Sequence, residues 1–408
     1  MNLIIGAGIS GLSAGHFLRG DCLILEKAAV AGGLSGQYLA DGRPFDYGGH
    51  YFHFQGKPSV REHVESIQSF RAYPRNSKVF ILDRFIPYSL QYHLAYLPAQ
   101  SRKIILDQIG SGQDVNSANL EDFLLAHFGD YLYRLFFKPF LFKFYNRPLK
   151  RLLAGMDQGS IPVPRRENVR QGAVEKKRFA EGYNPVFYYP DRGMQDFIDR
   201  YSSPLAGIIR LNERVLHIDL QQKKVTTNQG GYTYDNLVNT MPLKEFLSLV
   251  QPAAPFPWQR LQHISTLVVN AVLARRRRRF HWLYLPETDM PFYRVGYYPD
   301  RSAITVYLEK TISAGQSINR LAVYRDMVRT LLKTGMIKGR DEILFHDLKK
   351  IPVSYIIFDR HWPHLVPPAL DFLRRQRIYS IGRYGSWNYS SMADDIQAAR
   401  NATGLIVQ

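Results

Sequence analysis

The sequence predicts an α/β protein that combines a doubly wound parallel sheet, an inserted helical domain and an antiparallel sheet. Three observations predict this fold: a strand, glycine turn, helix and strand at the N-terminus, helical spacing of apolar residues from about residue 117, and short strand-like segments beyond residue 208. The 408 residues are too many for one compact core, so we expect roughly two or three domains.

The first element is a βαβ unit. Residues 3–5 form a short apolar strand, 6–11 a glycine turn and 12–18 an apolar helix. A second strand covers 22–25 and stops at Glu26. This order of elements opens a doubly wound sheet.

The remaining elements follow from apolar spacing. Segments 120–128 and 131–144 have helical spacing and few glycines. A final helix is predicted from about Met392. Strands are predicted at 208–211, 215–219, 237–240, 267–273, 282–285, 302–307 and 378–382.

These elements predict the domain boundaries. The doubly wound domain is built from three segments, 1–69, 181–245 and 351–408. The helical insert covers 70–180, and the antiparallel sheet domain covers 246–350.

Composition and charge limit the classes of protein to which the chain can belong. With 45% hydrophobic and 22% charged residues, it is neither a disordered tail nor a collagen-like repeat. The single cysteine, Cys22, can form neither an internal disulfide nor a thiolate metal cluster, which favours a cytoplasmic protein. A net charge of +18 favours anionic partners: phosphorylated substrates, nucleic acid or an acidic membrane surface.

Neither export nor a membrane span is expected. Residues 1–18 lack the basic region of a signal peptide. Charges or prolines interrupt every stretch before the roughly 18 apolar residues that an integral membrane segment needs. The arginine run 275–279 is typical of a solvated turn.

The glycine turn has the spacing of a dinucleotide-binding site. Gly6, Gly8 and Gly11 each have a steric role in that geometry, and the helix that follows can hold a pyrophosphate at its N-terminus. Glu26 is placed to bind ribose hydroxyls, which disfavours a 2′-phosphate. The turn therefore predicts a Rossmann-like domain for FAD or NAD rather than NADP.

Two further glycine motifs favour a flavin. Gly32-Gly33 follows Glu26, and Gly48-Gly49-His50 offers backbone that can approach a flat ring and a histidine that could donate to it. In these motifs the chain resembles flavoproteins of the amine oxidase and protoporphyrinogen oxidase superfamily, and most closely the UDP-galactopyranose mutases. The resemblance implies that FAD is the cofactor.

The resemblance extends over nearly the whole chain. Its blocks are 86–91, 135–143, 182–190, 282–286 leading to 291–294, and 382–389. It implies cofactor contacts by Gly6, Gly8, Ile9, Ser10, Gly11, Glu26, Lys27, Gly33, Leu34, Gly48, Gly49, His50, Val215, Gly382, Arg383, Tyr389 and Met392. It implies substrate contacts by Tyr88, Gln91, Phe136, Tyr145, Asn184, Tyr284, Arg294 and Tyr389.

The resemblance also implies a reaction without net redox change. Reduced flavin N5 would attack the anomeric carbon of a nucleoside diphosphate sugar, and the ring would open and reclose with net contraction. NADPH or NADH could reduce the flavin. His50 and Arg294 would be the catalytic residues, and a guanidinium fork such as that of Arg294 suits the oxygens of a diphosphate.

Three positions depart from the mutase pattern. Tyr145 replaces a tryptophan, Ala393 replaces an acid, and Ser160 replaces one of two arginines that bind the diphosphate. Loss of a charge-assisted bond to phosphate would weaken transition-state stabilisation by about 1.5–3 kcal/mol, unless Arg165 or Arg166 replaces it.

Two other functions remain open. The missing arginine favours an FAD-dependent oxidoreductase of the amine oxidase or protoporphyrinogen oxidase type. The second open function is that of a basic protein that binds nucleic acid or membranes. No recognised nucleic-acid-binding fold supports this function, so no nucleic acid partner is expected. The chain could assemble as a homo-oligomer.

Overall fold

The computed structural model describes residues 1–109, 117–155, 161–163, 165–176, 185–299, 303–313 and 315–407. The chain divides into two compact units. Unit 1 comprises Met1–Tyr73, Val186–Gln262 and His361–Gln408, and unit 2 comprises Pro74–Pro185 and His263–Arg360. Two positions that the sequence analysis singles out, Ser160 and Asn184, lie outside the described residues.

The elements have the following bounds. The strands are β1 (Asn2–Ile5), β2 (Leu23–Leu25), β3 (Gln37–Ala40), β4 (Arg43–Asp46), β5 (Phe70–Pro74), β6 (Ser77–Ile81), β7 (Arg84–Pro87), β8 (Val186–Pro190), β9 (Ile209–Arg210), β10 (Val215–Asp219), β11 (Lys224–Thr227), β12 (Gly231–Thr233), β13 (Asn236–Asn239), β14 (Val250–Gln251), β15 (His263–Leu273), β16 (Trp282–Tyr284), β17 (Arg294–Tyr297), β18 (Ile304–Ile312), β19 (Ile343–Ile356) and β20 (Ile378–Ser380). The helices are α1 (Ile9–Phe17), α2 (Pro58–Glu65), α3 (Ala99–Gln108), α4 (Leu120–Leu132), α5 (Lys138–Tyr145), α6 (Arg166–Val174), α7 (Met194–Ser202), α8 (Leu243–Leu249), α9 (Arg320–Lys333), α10 (Trp362–Arg375), α11 (Gly382–Gly385) and α12 (Met392–Val407).

Unit 1 is built on a parallel sheet with the strand order β20-β13-β1-β2-β9. Leu3 of β1 lies opposite Leu23 of β2 and Leu237 of β13, and all three are largely buried. Near-continuous apolar strands of this kind need cover on both faces of the sheet. Helix α1 packs against α12, and α10 packs against β20. A second sheet, with the order β12-β11-β10-β14, and the pairs β3-β4 and β5-β8 complete the strand pairing.

Unit 2 contains a mixed sheet with the strand order β19-β15-β18-β17-β16-β6-β7. All pairs are antiparallel except β16 with β6. Alternate residues of its central strands, such as Leu283, Val295 and Leu308, are fully buried and form a core with Met327 and Leu331 of α9. The residues between them point to the opposite face of the sheet.

The helices α3 to α6 belong to a second core of unit 2. A π-helical turn, Tyr133–Phe137, joins α4 to α5. Buried Leu124 and Phe128 of α4 share this core with Val79 and Ile86 of the sheet. Unit 2 therefore holds both helices and the large sheet, and the finer division into a helical insert and a separate sheet domain stays a prediction.

The structure adds detail to three of the predicted regions. Residues 70–87, assigned to the helical insert, form strands β5, β6 and β7, and β6 pairs with β7 as an antiparallel hairpin. β19 runs to Ile356, past the boundary placed at residue 350. The arginine run 275–279 lies on an exposed loop, as expected, and within it Arg277 forms a bidentate pair with Glu342.

Among the described residues, no helix combines the length and apolar character needed to cross a bilayer. The same residues contain no group of three or more His, Cys, Asp or Glu side chains that could hold a metal ion.

Candidate dinucleotide and diphosphate sites

The glycine turn of unit 1 is fixed by close backbone packing. Gly6 has φ +99°, and a Cβ there would lie 2.4 Å from Oγ1 of Thr240. A Cβ at Gly11 would lie 1.8 Å from the carbonyl oxygen of Gly6. A side chain at Gly11 would therefore separate α1 from the end of β1, so this position requires glycine.

Gly8 provides the open part of the turn. Among the described residues, no heavy atom lies within 4 Å of the place that its Cβ would occupy. Ile9 and Ser10 follow as the first residues of α1, and Gly33 lies beside Gly8, with 3.3 Å between its Cβ position and the Gly8 Cα. Open backbone at the start of a helix that follows a buried parallel strand fits a pyrophosphate.

Glu26 closes the turn on the side of β2. Its carboxylate is buried and accepts hydrogen bonds from the backbone N–H groups of Ala7 at 2.7 Å and Ala28 at 2.8 Å. Glu26 therefore ties the glycine turn to the end of β2, and its predicted contact with a ribose would use the remaining lone pairs of the same oxygens.

The Gly48-Gly49-His50 loop follows a buried anchor. Asp46 is fully buried and accepts hydrogen bonds from the hydroxyl of Tyr189 at 2.9 Å and from the side-chain amide of Gln37. The backbone N–H of His50 donates to the Gly48 carbonyl at 3.0 Å, and the His50 side chain is half-buried. The loop is thus held at its base, and the flavin contact of His50 stays a prediction.

The C-terminal motif reaches the glycine turn. A Cβ at Gly382 would lie 2.3 Å from the Ser10 hydroxyl oxygen, so the start of α11 lies against the start of α1. Arg383 donates from Nε to the Ser390 carbonyl at 2.9 Å and lies 4.6 Å from the centre of the Tyr389 ring. The residues predicted near the cofactor at both ends of the chain therefore lie together in unit 1.

A buried carboxyl lies in the first turn of α12. Asp395 accepts a hydrogen bond from the Ser390 hydroxyl. Burial raises the pKa of Asp395 to about 6, although the Ser390 hydrogen bond and the charge of Arg383 act in the opposite direction. Asp394 beside it pairs with Lys57 at 2.8 Å.

The other predicted cofactor residues occupy varied positions. Met392 begins α12 and is buried, while Val215 begins β10 and is 8% exposed. Lys27 is exposed and lies 3.9 Å from Glu245. Leu34 is half-buried in a short 3-10 turn after Gly32. Their contacts with a cofactor stay predictions.

Unit 2 carries a row of polar side chains across its large sheet. Tyr284 of β16, Arg294 of β17 and Glu309 of β18 lie directly opposite one another. Arg294 donates from Nη2 to Oε1 of Glu309 at 2.8 Å and from Nε to Oε2. Glu309 is 4% exposed, so the predicted diphosphate-binding arginine is held in a largely buried bidentate ion pair.

Tyr284 also contacts a second arginine. Its hydroxyl accepts hydrogen bonds from Nη2 of Arg75 at 3.1 Å and from Nε1 of Trp282 at 2.9 Å. The Arg75 guanidinium lies 4.8 Å from the Trp282 ring centre and 5.3 Å from that of Tyr88. Tyr88 and Tyr284, both predicted to bind substrate, have ring centres 4.7 Å apart.

The remaining predicted substrate residues are packed in the helical core. Phe136 and Tyr145 are nearly fully buried there. Gln91 is 2% exposed and donates its side-chain amide to the Pro162 carbonyl at 2.9 Å. Their contacts with substrate stay predictions. Arg165 and Arg166, considered as replacements for the missing arginine, are exposed at the start of α6.

Sequence reasoning missed Glu309 and Arg75. The predicted strand 302–307 ends two residues before Glu309, whereas β18 continues to Ile312. A charged residue at an alternating position of a longer apolar strand is the signal that would have identified it. The contact of Arg75 with Tyr284 joins residues 209 positions apart, and no local pattern indicates it.

Lys143 of α5 holds the chain between β16 and β17. Its ammonium donates to the backbone carbonyls of Leu285, Glu287, Met290 and Phe292, the last three at 2.8, 2.6 and 3.2 Å. Burial lowers the pKa of Lys143 to about 7, against the opposing effect of nearby carboxylates. Since this segment connects Tyr284 to Arg294, Lys143 helps to fix the strands that carry them.

Comparisons with known proteins agree with this geometry. Residues 4–66 match the family model of an NAD(P)-binding Rossmann-like domain. Over 100% of this chain and 95% of the other, the structure superposes on a crystal structure of reduced UDP-galactopyranose mutase, with a TM-score of 0.92 and 23% sequence identity. The chain has the UDP-galactopyranose mutase fold.

Other solved structures share this mutase fold less closely. A putative protoporphyrinogen oxidase from an Exiguobacterium species has a TM-score of 0.75 at 14% identity, over 99% of this chain and 98% of the other. Cyclohexylamine oxidase from Brevibacterium oxydans has a TM-score of 0.70 at 14% identity, with the same coverage. The resemblance named from the sequence and the predicted α/β fold class with a Rossmann-like domain are confirmed.

Proposed function

We propose that the protein is an FAD-dependent mutase that changes the ring size of the sugar in a nucleoside diphosphate sugar. The observation that carries the proposal is the TM-score of 0.92 to UDP-galactopyranose mutase over the whole chain, against 0.75 and 0.70 for the two oxidases. At 23% identity this likeness concerns the fold, so the chemistry has to be argued from the residues.

Unit 1 has residues that fit FAD. Gly8 and the start of α1 would hold the pyrophosphate, Glu26 the ribose, and the loop ending at His50 the flavin ring. In reduced form, with electrons from NADPH or NADH, FAD would supply a nucleophile for the anomeric carbon of the sugar. The residues of the chain would bind the sugar nucleotide, orient its sugar and neutralise the charge of its diphosphate.

Unit 2 would hold the diphosphate. Two nitrogens of Arg294 are bound by Glu309, so within the described part of the chain Nη1 is the nitrogen outside this pair and can donate to a phosphate oxygen. The Tyr284 hydroxyl accepts from Arg75 and Trp282, which leaves its own proton to donate. Fixed donors of this kind stabilise the negative charge of a leaving diphosphate.

A second function is an FAD-dependent oxidoreductase of the amine oxidase or protoporphyrinogen oxidase type. Both oxidases named above match essentially the whole chain, and Ser160 stands where the mutase pattern has an arginine. An apolar amine or porphyrin substrate would not need a polar sheet face with Arg294 and Tyr284.

One experiment separates the two functions. Purified protein is reduced with dithionite and incubated without oxygen with UDP-galactose and a panel of other nucleoside diphosphate sugars, and the products are separated by chromatography. The mutase proposal predicts a sugar nucleotide isomer with no oxygen consumed. Oxygen consumption with an amine or porphyrinogen, and no isomer with any sugar nucleotide, would establish the oxidoreductase instead.

The Arg294→Ala variant tests the assigned residue. It should retain FAD, and so its yellow colour, but lose affinity for the sugar nucleotide roughly 10- to 100-fold, the typical effect of removing a charged hydrogen-bond donor. Arg276→Ala is the matched control. Arg294 lies 5.8 Å from the ring centre of Tyr307, and Arg276 lies 4.5 Å from that of Tyr297, but on the apolar side of the sheet. Normal affinity in Arg294→Ala would show that the diphosphate binds elsewhere.

A further inference from the structure

We propose that Asp395 is a positioning residue of the cofactor site and that its negative charge, when present, makes bound FAD harder to reduce. Asp395 would act on the cofactor through this charge and through Arg383 and Ser390, which it holds in place. The inference rests on one part of the proposed function, the binding of FAD by unit 1.

Asp395 lies at the edge of the sheet where a dinucleotide would bind. Helix α11 begins soon after the carboxyl end of β20, and Gly382 at its start lies against the first turn of α1. A Cβ at Gly385, which ends α11, would lie 2.7 Å from the Asn239 carbonyl oxygen at the carboxyl end of β13. Ligands of doubly wound sheets bind outside the carboxyl ends of the strands. Helix α11 therefore borders the expected cofactor cleft, and Asp395 is hydrogen-bonded to its residue Arg383.

The Asp395 carboxyl holds both ends of the segment that joins α11 to α12. It accepts one hydrogen bond from the Ser390 hydroxyl and one from the backbone N–H of Arg383. The Arg383 side chain in turn donates from Nε to the Ser390 carbonyl at 2.9 Å. Asp395 is 8% exposed, so its carboxyl has a fixed place in this arrangement. The distance from its charge to a bound cofactor is therefore fixed as well.

A charge at this place would act on the reduction of the flavin. Reduction by two electrons and one proton adds one negative charge to a flavin, and an ionised carboxyl nearby disfavours that charge. Burial raises the pKa of Asp395 to about 6, so the carboxyl is mainly ionised at about pH 8 and mainly protonated at about pH 5. The unfavourable effect on reduction should therefore be present at the higher pH and absent at the lower one.

The neighbouring groups keep their charge in the same pH range. The titratable groups around Asp395 lie on α11 and α12 and before α2: Arg383, Tyr384, Asp394 and, through its ion pair with Asp394, Lys57. Burial raises the pKa of Tyr384 above its usual 10. Burial also acts to raise the pKa of Asp394, but hydrogen bonds from Lys57 and Ser391 outweigh it and lower that pKa below 3.8. Among these groups, Asp395 is the one whose charge changes between about pH 5 and pH 8.

The test measures the reduction potential of FAD in the purified holoenzyme at several pH values from about 5 to 8, by stepwise reduction with a reference dye. Asp395→Asn removes the charge and should favour the reduced flavin roughly tenfold at about pH 8, which is about 30 mV for a two-electron couple. At about pH 5 its potential should equal that of the wild type. Asp371→Asn is the control, because it removes an exposed carboxylate of α10 and should match the wild type at every pH.

The Ser390→Ala variant tests the hydrogen bond separately from the charge. The Ser390 hydroxyl favours the ionised form of Asp395, so its loss should raise the pKa of Asp395 further. The pH at which the potential of Ser390→Ala departs from that of Asp395→Asn should therefore be higher than it is for the wild type. A purely structural role of Asp395 would not produce this displacement.

The outcomes separate two failures. An Asp395→Asn protein that holds FAD and has the wild-type potential at every pH would overturn this inference. Should Asp395→Asn fail to fold or to hold FAD, a bend of the Ser390→Ala profile at higher pH than the wild-type bend would support the inference, and superposed profiles would overturn it. Wild-type protein that takes up no FAD would refute the proposed function as well, whereas superposed profiles in an enzyme that converts a sugar nucleotide refute this inference alone.

Discussion

The glycine turn of unit 1 and the polar sheet face of unit 2 differ in how the sequence encodes them. The turn is formed by consecutive residues, and the strand, glycines, helix and Glu26 all lie within 25 positions of one another, from 2 to 26. The polar face is assembled from β16, β17 and β18 and from Arg75, which precedes them by some 200 positions.

This difference has a physical cause. Gly6 and Gly11 are required by the atoms beside them, because a Cβ at Gly6 would overlap the Thr240 hydroxyl and a Cβ at Gly11 the Gly6 carbonyl, whereas Gly8 leaves its side of the turn open. On the polar face, a residue acquires its role through strand register, and the same Arg or Glu on another strand would be an ordinary surface residue. We therefore expect changes in the turn to act through steric overlap and changes on the face to act through unpaired charge and lost binding contacts.

The largest effect is expected at Gly11. An alanine there would place its Cβ 1.8 Å from the carbonyl oxygen of Gly6, so backbone would have to move. We expect Gly11→Ala to lower the free energy of unfolding by about 3 kcal/mol or more and to abolish FAD retention. The measurements are urea unfolding and the flavin absorbance of the purified protein.

Gly404→Ala is the control for that substitution. Gly404 lies within α12, and among the described residues no atom lies within 4 Å of its Cβ position. Alanine is the better helix former, so this variant should gain about 0.5–1 kcal/mol. Equal behaviour of the two variants would show that close packing does not fix the glycine turn.

Much of unit 1 could be predicted because its signals are local. The strand, turn and helix of residues 2–17, strand β10 at Val215–Asp219 and the helix from Met392 all follow from apolar spacing and glycines. Strands β6 and β7 were missed because β6 pairs in parallel with β16, some 200 residues later, and no local pattern encodes that pairing. The carboxylate partner of Arg294 was missed for a different reason, because the predicted strand 302–307 ended before Glu309 whereas β18 continues to Ile312.

The second-largest effect is expected at Glu309, the carboxylate partner of Arg294. Glu309→Ala would leave the Arg294 guanidinium in a largely buried place without its carboxylate, and loss of one member of such a pair typically costs about 3–5 kcal/mol. We expect urea unfolding to show a loss near the lower end of this range, because the Arg294 side chain is 19% exposed.

Two further variants test whether the loss of stability in Glu309→Ala comes from the unpaired charge of Arg294. Glu342→Ala removes the carboxylate of a second bidentate pair, that of Arg277, and should be less destabilising because the Arg277 guanidinium can turn towards solvent. The double variant Arg294→Leu/Glu309→Leu should be more stable than Glu309→Ala, since it leaves no unpaired charge. A double variant as unstable as Glu309→Ala would show that side-chain packing, rather than charge, stabilises this row.

The smallest effect, and the one that depends on pH, is expected at Lys143. The groups that set its charge are Asp289, Glu287 and Lys333, together with the burial that lowers its pKa to about 7 from the usual 10.5. Between about pH 7 and pH 10.5, Lys143 binds more protons in the unfolded chain than in the folded chain. Stability conferred by this group therefore rises with pH from about 7 to about 10.5 and is independent of pH below that window.

The Lys143→Met variant isolates this contribution. The wild type should gain stability relative to Lys143→Met by roughly 1 kcal/mol per pH unit between pH 7.5 and 9.5, measured by urea unfolding at several pH values. Lys138→Met, at an exposed position of the same helix, should show no such slope. Parallel pH profiles for the wild type and Lys143→Met would mean that the four carbonyls keep the ammonium protonated throughout, and the segment from Leu285 to Phe292 would then be held by a permanent charge.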